Sequence, residues 1–195
     1  MEQKIVIKES VRGIVEYVLK SGSLDDRFMS IGRAMEGTIA HGKLQKDNEN
    51  IYEDYQKEVK LQWGFIRDNI ELIIEGRTDG IIKESNNVII EEIKSTYKSL
   101  IYIEEDYNEL HWAQGKFYGY IYCKENNLKK IRIRLSYYDL NTDEVKSFEK
   151  EFILTELEAF VSELVETYMK AVLLKIALME ERNKSIEEME FPFPT

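Results

Sequence analysis

Cysteine and proline are nearly absent from this 195-residue chain, which has one cysteine, Cys123, and two prolines. A lone cysteine cannot close an internal disulfide or build a cysteine-ligated metal cluster, so Cys123 is expected to be a small buried hydrophobe. With ten glycines and no Ser/Gly-rich or Pro-rich tract, the composition leaves no room for a flexible linker. No apolar run is long enough to cross a bilayer and no charged-then-apolar leader is visible, which predicts a cytoplasmic protein with no membrane partner. Basic residues are the scarcer charge: 27 Lys and Arg face 37 Asp and Glu, a formal net charge of -10. That excludes a protein that holds nucleic acid by bulk electrostatics, so any nucleic acid must meet a local basic patch or a metal ion. What is present is core: 43% of the residues are hydrophobic, enough for one sizeable domain over residues 1–195.

Apolar periodicity divides the chain into helices and strands. Val11, Ile14, Val15, Val18 and Leu19 recur at helical spacing and predict a short helix over Ser10 to Lys20, stopped by Ser21-Gly22-Ser23. A second helix is expected over Ile31 to Gln45, with Ala34, Gly37, Thr38 and His41 on one side, followed by a polar stretch from Lys46 to Asn50. Strand character follows at Tyr55 to Trp63, at Asn69 to Gly76 and Thr78 to Lys83 with a bend at Gly76, and at Val88 to Thr96 after a turn at Asn86-Asn87. An aromatic-rich helix over Tyr107 to Lys124, opened by Asp106 or Asn108, precedes two strands at Lys130 to Tyr138 and Val145 to Phe152. Thr155, with Glu158 in the capping-box position, opens a long helix through Arg182. The order predicts an α/β or α+β core, a mixed central sheet flanked by helices.

Three polar residues stand out within apolar strand sequence: Asp79 in Glu75-Gly-Arg-Thr-Asp-Gly-Ile-Ile82, and Glu92 and Lys94 in Val88-Ile-Ile-Glu-Glu-Ile-Lys-Ser95. Strand side chains alternate faces, so Glu92 and Lys94 emerge together while Glu91 points the other way, as a structural or surface acid. Unpaired charge in a strand this apolar is costly, which favours a functional origin. Two carboxylates can hold a hard divalent cation, and an adjacent ammonium can orient water or offset developing negative charge. Taken singly, a helical His, an Asp-Gly pair and a Gln and Tyr four apart are ordinary packing or turn features.

In chain order, these pieces resemble the PD-(D/E)XK nuclease superfamily, and within it the RecB-like branch that includes the AddAB and CRISPR-adaptation nucleases. Glu36-Gly-Thr-Ile-Ala-His41 looks like the first-helix motif with its metal-binding histidine, and Gly76-Arg-Thr-Asp79-Gly like the motif that supplies the aspartate. Glu92-Ile-Lys94 looks like the (D/E)XK element, and Gln114-Gly-Lys-Phe-Tyr118 like the QxxxY helix. The resemblance implies a restriction-endonuclease-like fold, with a motif-bearing core over about 31–152, and a metal-dependent DNA nuclease, an exonuclease or single-strand nuclease of repair or recombination. It implies Asp79, Glu92 and Lys94 as catalytic residues. Mg²⁺ or Mn²⁺ would be held by His41, Asp79, Glu92 and the Ile93 carbonyl, while Gln114 and Tyr118 would position substrate or brace Lys94. One cysteine excludes the iron-sulfur cluster that many relatives carry.

Ser95, Thr96 and Lys98, directly after the strand, are candidate phosphate contacts. Lys130, Arg132 and Arg134 alternate on the polar face of their strand and form either a DNA-tracking strip or charged edge protection. Trp112, Phe117, Tyr118, Tyr120 and Tyr122 crowd one helix and are expected to be mostly core. Phe191-Pro-Phe-Pro-Thr195 resembles the entry to the helicase part of excision-repair-type bacterial DNA helicases, implying a helicase partner in the same or another chain. Two other classes remain as alternatives: a catalytically weak nucleic-acid-binding or regulatory module attached to that helicase, and an acidic interaction domain.

Overall fold

A computed structural model describes residues 4–20, 31–85 and 87–187. The expected turn residue Asn86 and the Phe-Pro-Phe-Pro segment lie outside them. Among the described residues the elements run β1 (Ile5–Ser10), α1 (Val11–Leu19), α2 (Ile31–Ile51), β2 (Tyr55–Arg67), β3 (Ile70–Glu84), β4 (Asn87–Thr96), a 3₁₀ turn (Leu100–Tyr102), α3 (Glu109–Asn126), β5 (Lys130–Asp139), β6 (Val145–Ile153) and α4 (Leu154–Glu187). The result is an α+β fold: a six-stranded mixed sheet flanked by four helices.

The sheet is ordered β1-β3-β4-β5-β6, with β2 on the other edge of β3. β2 follows β3 antiparallel from Arg67↔Ile70 to Tyr55↔Ile82. On the opposite edge, β1 pairs in parallel with Ile70 to Glu75, and β4 pairs antiparallel with Gly80 to Glu84. Two strands therefore share one edge of β3 and leave the stretch Gly76 to Asp79 between them without a strand neighbour on that side. This notch positions the candidate site.

Each face of the sheet carries its own apolar packing. α1, α3 and α4 cover one face, where Ile14, Val15, Leu72, Ile74, Phe117, Ile121, Ile133 and Val161 are all fully buried. Complete burial of side chains of this size stabilises by about 1.5–3 kcal/mol each before entropy is counted. α2 covers the other face through a smaller cluster of Ala40, Leu44, Ile93 and Tyr138. α3 sits close to the sheet because Gly115 has no Cβ; one built there would lie 2.5 Å from the Ile133 side chain. Its Trp112, Phe117, Tyr118, Tyr120, Tyr122 and Cys123 are buried, as core residues should be.

Several boundaries differ from the sequence reading. β1 was not expected; its alternating Ile5 and Ile7 become a strand by joining the edge of β3. β3 is one continuous strand rather than two bent at Gly76, because β2 pairs straight through Gly76, Arg77 and Thr78. α2 continues to Ile51 through the polar stretch Lys46 to Asn50, where buried Asn48 donates to Glu91 of the sheet. α4 begins at Leu154 and is described to Glu187. Its entrance is closed by Glu156, which accepts from the Ile153 amide at 3.3 Å, whereas Glu158 pairs with Lys124 at 3.0 Å. The Leu154 amide donates to the Lys129 carbonyl and so continues the β5–β6 pairing to the residue where α4 begins, which leaves Thr155 inside the helix rather than at its cap.

Candidate functional site

The ladder between β3 and β4 ends at Gly80↔Glu91, and the next residue on each strand is an acid, Asp79 on β3 and Glu92 on β4. Beyond that point Asp79 takes over one strand contact: its Oδ2 accepts the Ile93 amide at 2.7 Å. Its Oδ1 lies 3.3 Å from His41 Nδ1 on α2. A carboxylate only accepts, so neutral His41 carries its proton on Nδ1 and keeps a lone pair on Nε2. Gln45, one turn further along α2, donates to the Asp79 backbone carbonyl at 2.9 Å and pins the same residue from behind.

Glu92 and Lys94 emerge from the other face of β4, toward α3. Lys94 Nζ donates to Glu92 Oε1 at 2.6 Å and to Gln114 Oε1 at 2.8 Å. Burial raises the Glu92 carboxyl above the ordinary glutamate range; Lys94 opposes this and Asp79 reinforces it. Tyr118, one turn beyond Gln114, does not reach Lys94. It lies in the notch, hydrogen-bonded to the backbone of Arg77 and packed on Gly76, where a Cβ would come within 2.7 Å of its hydroxyl. It thus occupies the place of the missing strand neighbour. Burial, followed by Glu92 and Asp79, raises its phenol above the usual range, so Tyr118 stays protonated.

Of these groups His41, Lys94 and Gln114 line a cleft of about 520 Å³, together with Arg12 and Glu16 of α1, Gly37 and Thr38 of α2, Ser95 of β4, and Asn108 and His111 of α3, while Glu92 and Tyr118 lie outside its lining. The small-residue side of α2 expected from sequence accounts for its approach: a Cβ on Gly37 would stand 3.0 Å from Ser95 Oγ. Asp79 borders the cleft through its contact with His41. Thr96 is turned to its own loop, accepting the Lys98 amide at 2.9 Å, and Lys98 lies 4.3 Å above the Tyr107 ring.

The second basic group sits elsewhere. Arg132 pairs with Ile89, toward the start of β4, and Lys94 with Tyr137 toward its end. Each cation already has an acid: Lys130 pairs with Glu151, Arg132 with Glu84 and Glu149, and Arg134 with Glu149. Arg134 is also mostly buried, donates to Tyr52 and stacks on its ring. A DNA track along these residues would have to compete with those acids for each cation.

Sequence reasoning passed over Gln45 and His111, and left Glu91 as either a structural or a surface acid. Glu91 is 1% exposed and its oxygens accept from Asn48 at 2.7 Å, Tyr55 at 3.1 Å and Ser136 at 2.7 Å. It thereby ties α2, β2 and β5 together behind the site. Gln45 forms the pin described above. His111 lines the cleft one turn before Gln114; its presence in the first turn of an aromatic helix was the available signal. Burial, then Lys94 and Arg12, lower its imidazole to about 3.

For a hard divalent ion the donor types fit, with two carboxylates and an imidazole. Because His41 Nδ1 and Asp79 Oδ1 share a hydrogen bond at 3.3 Å, the imidazole nitrogen with a lone pair to offer a cation is Nε2. Glu92 is turned to Lys94, and among the described residues no three His, Cys, Asp or Glu side chains are gathered into a ready-made cluster.

No protein-family model matches the chain, and no curated protein matches it in sequence. Among solved structures, the fold is similar to the crystal structure of SSO0001, with a TM-score of 0.55 and 18% identity over 86% of this chain and 78% of that one. At that identity the likeness concerns the fold alone. No helix among the described residues is long and apolar enough to cross a membrane.

Proposed function

We propose that this chain is a divalent-metal-dependent deoxyribonuclease that hydrolyses phosphodiester bonds, acting as an exonuclease or single-strand nuclease in DNA repair or recombination. The observation that carries this reading is the convergence of Asp79, Glu92, Lys94 and Gln114 at the end of the β3–β4 ladder, with His41 against Asp79. Similarity to the PD-(D/E)XK superfamily, on the motifs around these residues, supports it. Asp79, Glu92, His41 and the Ile93 carbonyl would hold Mg²⁺ or Mn²⁺, which when bound supplies Lewis acidity toward the phosphate and its attacking water. Lys94 offers a fixed positive charge beside the phosphate, where negative charge grows in the transition state. Gln114 keeps that ammonium directed into the cleft, Tyr118 closes the notch behind it, and Ser95 is placed to contact the substrate backbone.

A second reading, a weakly catalytic nucleic-acid-binding module that depends on an attached helicase, is favoured by one observation: Lys130, Arg132 and Arg134 are paired to acids, on a chain of net charge -10. Delivery of the substrate by a partner would offset the weak electrostatic attraction.

The test is cleavage of fluorescent single-stranded and duplex DNA in Mn²⁺, Mg²⁺ or chelator, beside Asp79→Ala and Lys94→Ala. Metal-dependent cleavage lost in both variants supports the enzyme. Asp79-dependent metal binding without cleavage supports the partner-dependent module, and absence of metal binding overturns the site.

A further inference from the structure

We propose that His111 and Arg12 form a phosphate-binding subsite on the wall of the cleft, in which the His111 Nε2–H donates to a non-bridging phosphate oxygen. Tyr137 is 1% exposed, and among the described residues the one hydrogen-bond partner of its hydroxyl is His111 Nδ1, at 2.9 Å. If His111 donated from Nδ1, the phenol proton would be left in the interior without an acceptor. A buried donor without a partner is expensive, so the phenol donates and Nδ1 accepts. Tyr137 holds its proton firmly, its phenol being raised to about 12 by burial and then by Tyr107.

That bond settles the other nitrogen. Neutral imidazole carries one proton, so it resides on Nε2, which has no hydrogen-bond partner among the described residues. His111 lines the cleft beside Lys94 and Arg12. It is therefore a neutral donor in a cation-bearing wall, a poor metal ligand and a good partner for an oxyanion. The two histidines of the chain are opposites in this respect: His41 keeps its free lone pair on Nε2, His111 its free proton.

The ring is also held still. Tyr137, whose ring centroid lies 5.7 Å from that of His111, is boxed edge-on by Tyr107 and Phe148. Arg12 pairs with Glu16 at 2.6 Å, but its side chain is 67% exposed, and exposed pairs of this kind yield readily to a stronger acceptor. A tetrahedral phosphate, rich in acceptor oxygens and lacking donors when ionised, suits an N–H and a guanidinium on one wall. The choice of DNA phosphate as its occupant rests on the nuclease reading; the binding itself does not need turnover.

The test is a long-range ¹⁵N–¹H spectrum of ¹⁵N-labelled protein in chelator, where the two imidazoles give two readable patterns. His111 is expected as the Nε2–H tautomer at neutral pH; an Nδ1–H or doubly protonated ring overturns the proposal. Inorganic phosphate and a short oligothymidylate are then titrated separately. A saturable shift of the His111 signals supports the subsite, and the ligand that acts at lower concentration identifies a free or a diester phosphate as its preferred source. The shift should persist in Asp79→Ala, so that the subsite and the nuclease reading can fail independently. Arg12→Gln and the near-isosteric Tyr137→Phe should each weaken phosphate binding several-fold, up to about tenfold, with Tyr137→Phe also releasing the single tautomer. A His111 signal that neither ligand moves, with the fold intact by its thermal midpoint, leaves only a structural His-Tyr contact and overturns the subsite.

Discussion

Lys94 and Gln114, twenty residues apart in sequence, meet at 2.8 Å between β4 and α3, the Lys94 ammonium donating to the amide oxygen. The same ammonium donates to Glu92. Two acceptors on different elements fix a long, flexible side chain that would otherwise sample many rotamers.

Removing the Gln114 acceptor should therefore act on turnover. A hydrogen bond to a charged group is worth about 1.5–3 kcal/mol, or roughly tenfold to a hundredfold in rate if expressed in the transition state. Gln114→Leu is expected to lower kcat by that factor with a smaller change in KM, measured by steady-state cleavage of a single-stranded oligonucleotide. Gln114→Glu, which keeps an acceptor at that position, should retain more activity than Gln114→Leu.

Asp79→Asn should weaken Mn²⁺ binding at least tenfold by titration calorimetry, because it removes one of two carboxylates from the donor set. Replacing Mg²⁺ by Mn²⁺ is expected to raise wild-type activity, since an imidazole softens the site.

Glu91→Ala should cost about 3 kcal/mol or more in urea unfolding, through loss of a buried acceptor used by Asn48, Tyr55 and Ser136. The acid belongs to no proposed catalytic step. Variant protein that remains folded should bind Mn²⁺ with an affinity close to wild type.

His111 gives a pH signature. Its imidazole is lowered to about 3 in the folded chain, against about 6.5 when unfolded. Between those values the unfolded state binds the extra proton, so stability is gained as pH rises and lost as pH falls from about 6.5 toward about 3. His111→Gln should flatten that part of the stability curve relative to wild type, measured in chelator by urea unfolding from pH 4.5 to 7.5. An unchanged slope would show that the ring takes up its proton in the folded state as readily as in water.

Gly76→Ala should destabilise by about 1–3 kcal/mol, because the new methyl meets the Tyr118 ring and hydroxyl. In a Tyr118→Leu background the same substitution should cost less, and a double-mutant cycle by thermal unfolding measures the coupling.

Much of this arrangement was legible from local pattern. Alternation alone puts Glu92 and Lys94 on one face and Glu91 on the other; helical spacing puts Gln114 with Tyr118 and Gly37 with His41. What could not be read depends on partners distant in sequence. β1 is a strand only because β3 offers it an edge, and Gly76 looks like a bend until β2 is seen pairing through it. The role of Glu91 is set by Asn48, Tyr55 and Ser136, none of which marks it locally. Asn108 was legible as a cap, since its side chain accepts the Leu110 amide within two residues. The tautomer of His111 depends on Tyr137, 26 residues later.

The break in pairing along β3 has a mechanical meaning. Gly80 and Glu91 act as the pivot of a pair of tongs whose tips carry Asp79 and Glu92, clasped by the single bond from the Ile93 amide to Asp79. How far the strands splay thus sets the backbone distance between the two acids, and the turn of Glu92 toward Lys94 sets the rest.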